Sequence, residues 1–117
     1  MQRRTAGRLA SANTLILVVA QDIREQTGKQ PFVKEAPVNL IYVADLAKMS
    51  RLAPEDIDFY SATDTGFISQ NVYLYCASEG LATVVRGWVD REVLSKALKL
   101  RADQRIILGQ TVGYPKE

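Results

Sequence analysis

Short apolar runs alternate along this chain with longer segments that carry helix signals. Four of the runs are rich in β-branched residues, as is typical of buried strands, and cover residues 14–20, 38–44, 81–85 and 104–112. The pattern predicts the order β-α-β-α-β-α-β, with one helix or two in the second helical segment. This order indicates a layered arrangement of helices and sheet, although the pattern does not determine the strand order.

Boundary signals place the three helical segments. Asp22 and Glu25 have capping-box spacing and Gly28 supplies a stop, so a helix is predicted from Asp22. Pro54 suits the first turn of the second segment, which either continues through residues 64–65 or restarts from a cap there. The third helix is capped by Asp90 and carries four apolar residues on one face, Val93, Leu94, Ala97 and Leu98.

Residues 64–87 combine a helix, a turn and a strand within 24 positions. The helical part is apolar nearly all round, which predicts burial on several sides, and in a small domain this favours a subunit interface. Gln70 and Asn71 interrupt the apolar surface, and we expect them to form hydrogen bonds in that interface rather than to contact a ligand. Gly80 ends the helix, and the following strand is predicted to present bare backbone to a flat ligand.

Composition excludes several classes of function. The 117 residues predict a single domain, 1–117, with 47% hydrophobic and 24% charged residues, as in soluble proteins. A net charge of +2 predicts neither a nucleic-acid nor a membrane partner, and the basic segment 1–8 is expected to be a solvated tail. With no histidine and one cysteine, neither a zinc site nor a Ser-His or Cys-His site is expected, and the lone Cys76 fits a reducing cytoplasm.

Four motifs resemble the nitroreductase family of FMN-dependent oxidoreductases. They are Gly-Phe-Ile-Ser-Gln-Asn-Val-Tyr-Leu at 66–74, Ala-Ser-Glu-Gly-Leu-Ala-Thr at 77–83, Ile-Leu-Gly-Gln-Thr-Val-Gly-Tyr-Pro at 107–115, and the segment from Thr-Gly-Lys-Gln-Pro-Phe at 27–32 to Val-Ala-Asp at 43–45. The resemblance runs from about residue 13 to residue 116. It implies an α+β fold with a mixed sheet flanked by helices, and a homodimer with the central helix at its interface. It also implies FMN at that interface, passing electrons from NAD(P)H to nitro or quinone-type small-molecule acceptors.

The same resemblance implies which residues meet the cofactor. Catalysis would come from the flavin, so no catalytic side chain and no metal are expected. Arg86 would stabilise negative charge on the reduced ring, and Lys116 would reach the phosphate; the alternatives are a surface charge at a strand end and a frayed terminal charge. The predicted cofactor-binding residues are Thr83, Val84, Val85, Arg86, Gly87 and Lys116. For the two valines the alternative is a role in the core alone.

The amino-terminal part departs from the family pattern. Family members usually begin with a segment rich in Arg and Ser that binds the FMN phosphate, whereas here the strand at 14–20 comes almost at once. Residues 3–5, Arg-Arg-Thr, either stand in for the phosphate-binding arginines or are the remnant of a later Arg-Thr-Ala segment. Lost arginine contacts would weaken FMN binding. Two hypotheses follow: a shortened FMN-dependent oxidoreductase, or a non-enzymatic dimeric remnant of the fold with weak or no FMN binding.

Overall fold

An antiparallel sheet and one long helix form the centre of the molecule. The computed structural model describes residues 6–8, 14–17 and 21–116. Its strands are β1 (Ala6–Arg8), β2 (Thr14–Leu17), β3 (Val38–Asp45), β4 (Ala82–Arg86) and β5 (Gln104–Gly113), and the helices are α1 (Pro54–Ser78) and α2 (Arg91–Ala97). Single 3₁₀ turns cover Arg24–Thr27, Pro31–Lys34 and Leu46–Met49. The α+β class is therefore confirmed.

The strand order is β1-β2-β3-β5-β4, and every described pairing is antiparallel. The sheet is thus not mixed in the part that the structure describes. The reason is that β3 and β4 run in the same direction but β5 lies between them, so no parallel pair forms. The prediction that the basic segment 1–8 is a solvated tail also needs correction. Part of that segment forms β1, which pairs with β2. Residues 3–5 and 18–20 lie outside the described part.

The predicted helix from Asp22 is reduced to one 3₁₀ turn. The Asp22 carboxylate accepts hydrogen bonds from the backbone and side chain of Arg24 and does not cap the turn by the expected box. Gly28 has a φ of 177°, which is extended backbone and not the left-handed stop predicted for it. The capping-box prediction was wrong because a local ion pair used the carboxylate.

The face of the sheet away from α1 carries the apolar core. The centre of this core is formed by five buried residues: Ile41, Val43, Val89, Leu94 and Ile106. Among them, Leu94 of α2 is fully buried. The predicted cap of α2 is confirmed, since the Asp90 carboxylate accepts from the Val93 N–H at 3.1 Å. Val93 itself is 48% exposed, so only part of the predicted apolar face reaches the core.

α1 is one continuous helix, so no second helix starts from residues 64–65. The Thr65 hydroxyl is buried and donates to the Ser61 carbonyl inside the helix, instead of capping a new one. The helix ends where predicted: Gly80 has a φ of +69°, and the Leu81 N–H bonds back to the Cys76 carbonyl. The left-handed glycine turns the chain directly into β4.

The two sides of α1 reverse the usual arrangement of polar and apolar residues. The side against the sheet is built mainly from small residues: Ser61, Thr65, Ile68, Ser69 and Cys76. Large apolar residues are exposed elsewhere on the helix: Phe59, Tyr60, Phe67, Leu74 and Tyr75. Burial on several sides is therefore not reached within one chain, and Gln70 and Asn71 are also exposed.

Candidate functional site

The predicted site residues 83–87 lie on β4 and in the turn that follows it, and their backbone is held from both faces of the sheet. On the α1 side, the Thr83 hydroxyl donates to the Thr111 carbonyl at 2.7 Å and accepts from the Gln110 amide at 3.1 Å. The side-chain oxygen of Gln110 accepts a hydrogen bond from the Tyr42 hydroxyl at 2.5 Å. Burial raises the pKa of Tyr42 to about 12, so this phenol stays a neutral donor at neutral pH.

Tyr73 on α1 contacts the middle of β4. Its hydroxyl accepts a hydrogen bond from the Val85 N–H at 2.8 Å, so this backbone donor is already used within the chain. Val84 is 43% exposed on the other face, and Val85 is half-buried. A flat ligand could contact the exposed Val84 side chain, whereas the alternative of a role in the core alone applies better to Val85.

Arg86 is buried, with 5% of its surface exposed. Its guanidinium donates to the Thr111 hydroxyl at 2.7 Å, to the Asn39 side-chain oxygen at 2.9 Å, and to the Thr27 carbonyl. The alternative of a surface charge at a strand end was therefore wrong. The guanidinium fits because Gly28 has no side chain; a Cβ there would lie 2.4 Å from Arg86 Nη1.

All of these partners of Arg86 are neutral. Among residues 21–116, each carboxylate that forms an ion pair does so with another cation, and none pairs with Arg86. Burial lowers the pKa of Arg86, although a guanidinium remains charged at neutral pH. Buried charges are normally paired, so this site holds an uncompensated positive charge. At an effective dielectric constant of about 20, it would attract a negative charge about 8 Å away by about 2 kcal/mol.

Gly87 forms the turn between β4 and α2. Its carbonyl accepts from the Val89 N–H at 2.9 Å and from Arg91 Nη1 at 3.3 Å. No residue in the described part accepts a hydrogen bond from the Gly87 N–H, and the glycine is exposed. The turn therefore presents one unused backbone donor directly after the buried Arg86.

Lys116 follows the end of β5. Gly113 pairs with Ala82 at the beginning of β4, whereas Gly87 follows its end. Five residues of extended strand separate those ends by about 16 Å. Lys116 is exposed and comes three residues after Gly113, at the end of β5 that lies beside the beginning of β4, and its part in the site stays a prediction.

Several supporting residues were missed by sequence reasoning. Asn39 carried a signal, because a polar residue at the start of an apolar strand needs a partner if it is buried. Thr27, Tyr73 and Arg91 carried none, since each bonds to a residue of another element: Arg86, Val85, and Ile106 with Ile107. Among the described residues, no cluster of three or more His, Cys, Asp or Glu side chains could hold a metal, and no helix is long and apolar enough to cross a membrane.

Comparison with known proteins shows the family of this chain. A model of the nitroreductase family matches residues 2–114. The chain belongs to the nitroreductase family. The crystal structure of a putative nitroreductase from Ralstonia eutropha JMP134 is 42% identical over 88% of this chain and 49% of its own, with a TM-score of 0.78. No curated protein matches the chain.

More distant nitroreductase-like structures share the fold. A nitroreductase family protein from Streptococcus pneumoniae TIGR4 has a TM-score of 0.76 at 18% identity, covering 90% of this chain and 70% of its own. The NADPH:FMN oxidoreductase of Vibrio harveyi, determined in complex with NAD⁺, has a TM-score of 0.75 at 21% identity, covering 91% and 52%. The present nitroreductase chain spans about half the length of the Ralstonia and Vibrio proteins.

Proposed function

We propose that this chain is an FMN-dependent oxidoreductase that passes electrons from NAD(P)H to nitro or quinone-type acceptors. The observation that carries the proposal is that two neighbouring groups have no partner of the expected kind among the described residues: the buried Arg86 has no carboxylate, and the Gly87 N–H has no acceptor. A flavin gains negative charge when it is reduced and accepts a hydrogen bond at its central ring. A fixed cation and a fixed backbone donor at one strand end suit both needs.

The residues of the site would bind and orient the cofactor. Gly87 would donate its N–H to the ring, Val84 would contact the ring face, and Arg86 would act through its charge, because most of its donors are used within the chain. When bound, FMN would supply the chemistry by accepting a hydride and returning electrons to a second substrate. Thr83 and Val85 would fix the strand through Gln110 and Tyr73. A cytoplasmic location would suit the lone, reduced Cys76.

The proposal includes a homodimer formed through α1. Tyr60, Phe67 and Leu74 are seven residues apart and therefore lie on one side of the helix, where all three are exposed. Phe59 and Tyr75 are exposed on either side of this row. A second copy of the chain, packed helix against helix, would cover it and would explain why the large residues of α1 face away from their own sheet.

A second candidate is a non-enzymatic dimer that keeps the fold and binds FMN weakly or not at all. It is favoured by Lys116, the predicted phosphate contact, which is exposed and follows the end of β5 that pairs with the beginning of β4. In that case α1 would still form the dimer, but the residues of β4 would have only structural roles.

Titration of the full chain with FMN, followed by flavin fluorescence and absorbance, separates the two candidates. We expect stoichiometric binding and FMN-dependent oxidation of NAD(P)H. Replacing Gly87 with valine should abolish binding without loss of the fold, because a Cβ there meets only Leu108, at an ordinary 3.7 Å. Ala102→Val, in an exposed turn before β5, is the matched control. A wild-type chain that does not bind FMN would contradict the proposal and favour the second candidate.

A further inference from the structure

Arg91, the first residue of α2, connects two strands through three carbonyl groups. Its Nε donates to the Ile106 carbonyl at 3.1 Å, one terminal nitrogen donates to the Ile107 carbonyl at 2.6 Å, and the other donates to Gly87 at 3.3 Å. The two isoleucines lie at a bulge of β5, where Tyr42 pairs with Leu108 and Val43 with Ile106, so Ile107 has no partner on β3. The hydrogen bonds of Arg91 therefore connect the bulge of β5 to the turn that follows β4.

The turn at Gly87 is also held from other directions. The Lys29 N–H donates to the Trp88 carbonyl at 3.2 Å, and the buried Arg86 is fixed to Thr27, two residues before Lys29. Both carbonyls of the turn thus accept hydrogen bonds, while the Gly87 N–H has no described acceptor. A donor fixed in this way loses little conformational entropy when it binds a ligand.

We propose that Arg91 is a positioning residue of the flavin site, acting through the Gly87 peptide. This inference rests on the proposed function. The planar guanidinium holds the Gly87 carbonyl relative to the β5 bulge. The Gly87 N–H belongs to the preceding peptide, which follows the pairing of Arg86 with Gly109, so the strand and the guanidinium together restrict the two backbone torsions that orient this N–H towards the ring. Arg91 does not contact the cofactor itself, and no other residue of the described part donates a side-chain hydrogen bond to Gly87.

A lysine at position 91 distinguishes positioning from a simple effect of charge. Lysine keeps the positive charge, but it is a point donor without the rigid fork that reaches three carbonyls at once. If Arg91 acts by positioning, Arg91→Lys and Arg91→Gln should both impair the site. If it acts only through its field, Arg91→Lys should behave as the wild type.

The experiment measures the FMN dissociation constant and the midpoint potential of the bound flavin for the full chain and both variants. We expect both variants to weaken FMN binding by about fivefold or more, the effect of one lost hydrogen bond. Their flavin potentials should move towards that of free FMN, which a loss of stability alone would not produce. Lys96→Gln is the matched control, since it removes a positive charge from an exposed position of the same helix.

Unchanged affinity and potential in Arg91→Lys would overturn the inference, even if Arg91→Gln were impaired or failed to fold. Failure of the proposed function looks different, because the wild-type chain would then not bind FMN, and the inference about Arg91 would be overturned with it. Chemical unfolding of each variant without FMN shows how much of the change in affinity comes from stability.

Discussion

At the scale of single residues, burial decides what Arg86 and Tyr42 can do. In the sequence Arg86 is an ordinary charge at the end of a strand. In the fold its side chain is buried among neutral hydrogen-bond acceptors. Tyr42 is one of several aromatic residues in the sequence, but its buried hydroxyl orders Gln110 and, through it, Thr83. Both effects depend on neighbours more than 20 positions away in the chain.

Gly28→Ala should destabilise the fold by about 1–3 kcal/mol, because a Cβ would lie 2.4 Å from Arg86 Nη1 and 3.1 Å from a Val33 methyl. The guanidinium cannot move away without breaking its hydrogen bonds to Thr27 and Asn39. Urea unfolding measures the loss. Removing the guanidinium with Arg86→Met should make the cost of Gly28→Ala smaller, and strictly additive costs would contradict the proposed clash.

Stability should fall as the pH rises from about 10 to about 12, because burial raises the pKa of Tyr42 from 10.0 to about 12. Between these values the folded state keeps the phenol proton that the unfolded state has lost, so folding binds a proton and is opposed by high pH. Each unit of pKa difference corresponds to about 1.4 kcal/mol. Unfolding curves at pH 9, 10 and 11 for wild type and Tyr42→Phe measure the effect, and equal slopes in the two proteins would contradict it.

At the scale of elements, α1 and β4 form the unit that carries the site. The helix ends through a left-handed glycine, and a side chain of the helix then bonds to the strand that follows, as the Tyr73 hydroxyl does with the Val85 N–H. The small residues Ser61, Thr65 and Ser69 let the helix approach the sheet closely. The position of β4 is therefore set by the length and the end of α1, together with its pairing to β5.

Gly80→Ala and Gly66→Ala should have opposite effects on stability. Gly80 has a φ of +69° with nothing near its Cβ position, so alanine there costs about 1 kcal/mol through backbone strain alone. Gly66 lies within α1 and also has open space, so alanine there should stabilise the helix by up to about 1 kcal/mol. Thermal unfolding of the two variants gives the comparison, and a shift in the same direction for both would contradict the assignment of the helix end.

At the scale of the whole molecule, the described chain leaves one large apolar surface uncovered. On α1, the side chain of Phe67 is 68% exposed, and those of Phe59 and Tyr75 are each more than 60% exposed. The apolar core on the other face of the sheet is closed by α2, so the two faces of the sheet are not equally complete. The proposed dimer would complete the face that carries α1.

Phe67→Glu should convert the proposed dimer to a monomer, because a carboxylate at the centre of an apolar helix–helix contact would be buried without a partner. We expect the dimer dissociation constant to rise by about 30-fold or more, measured by analytical ultracentrifugation over a range of concentrations. Val93→Glu, at an exposed position on α2, is the control and should leave assembly unchanged. A wild-type chain that is monomeric at all concentrations would refute the proposed interface.

Local signals in the sequence were sufficient to predict most elements. The strands at β3, β4 and β5, the cap at Asp90 and the helix end at Gly80 follow from β-branched runs, a capping carboxylate and a glycine that can adopt positive φ. The helix from Asp22 failed because Arg24 competes for its carboxylate. The site itself stays a prediction: residues 83–87 follow one another on β4 and its turn, and Lys116 follows the end of β5.

The sequence by itself determined the α+β class, the long helix that leads into β4, and the resemblance to the nitroreductase family, because these depend on periodicity and on motifs of neighbouring residues. Only the tertiary structure decided the antiparallel order with β5 between β3 and β4, since strand pairing joins distant segments. It also decided that Arg86 is buried with no ion pair among the described residues, and that Arg91 donates a hydrogen bond to Gly87. Burial and hydrogen-bond partners depend on residues brought together by folding, which local sequence patterns do not encode.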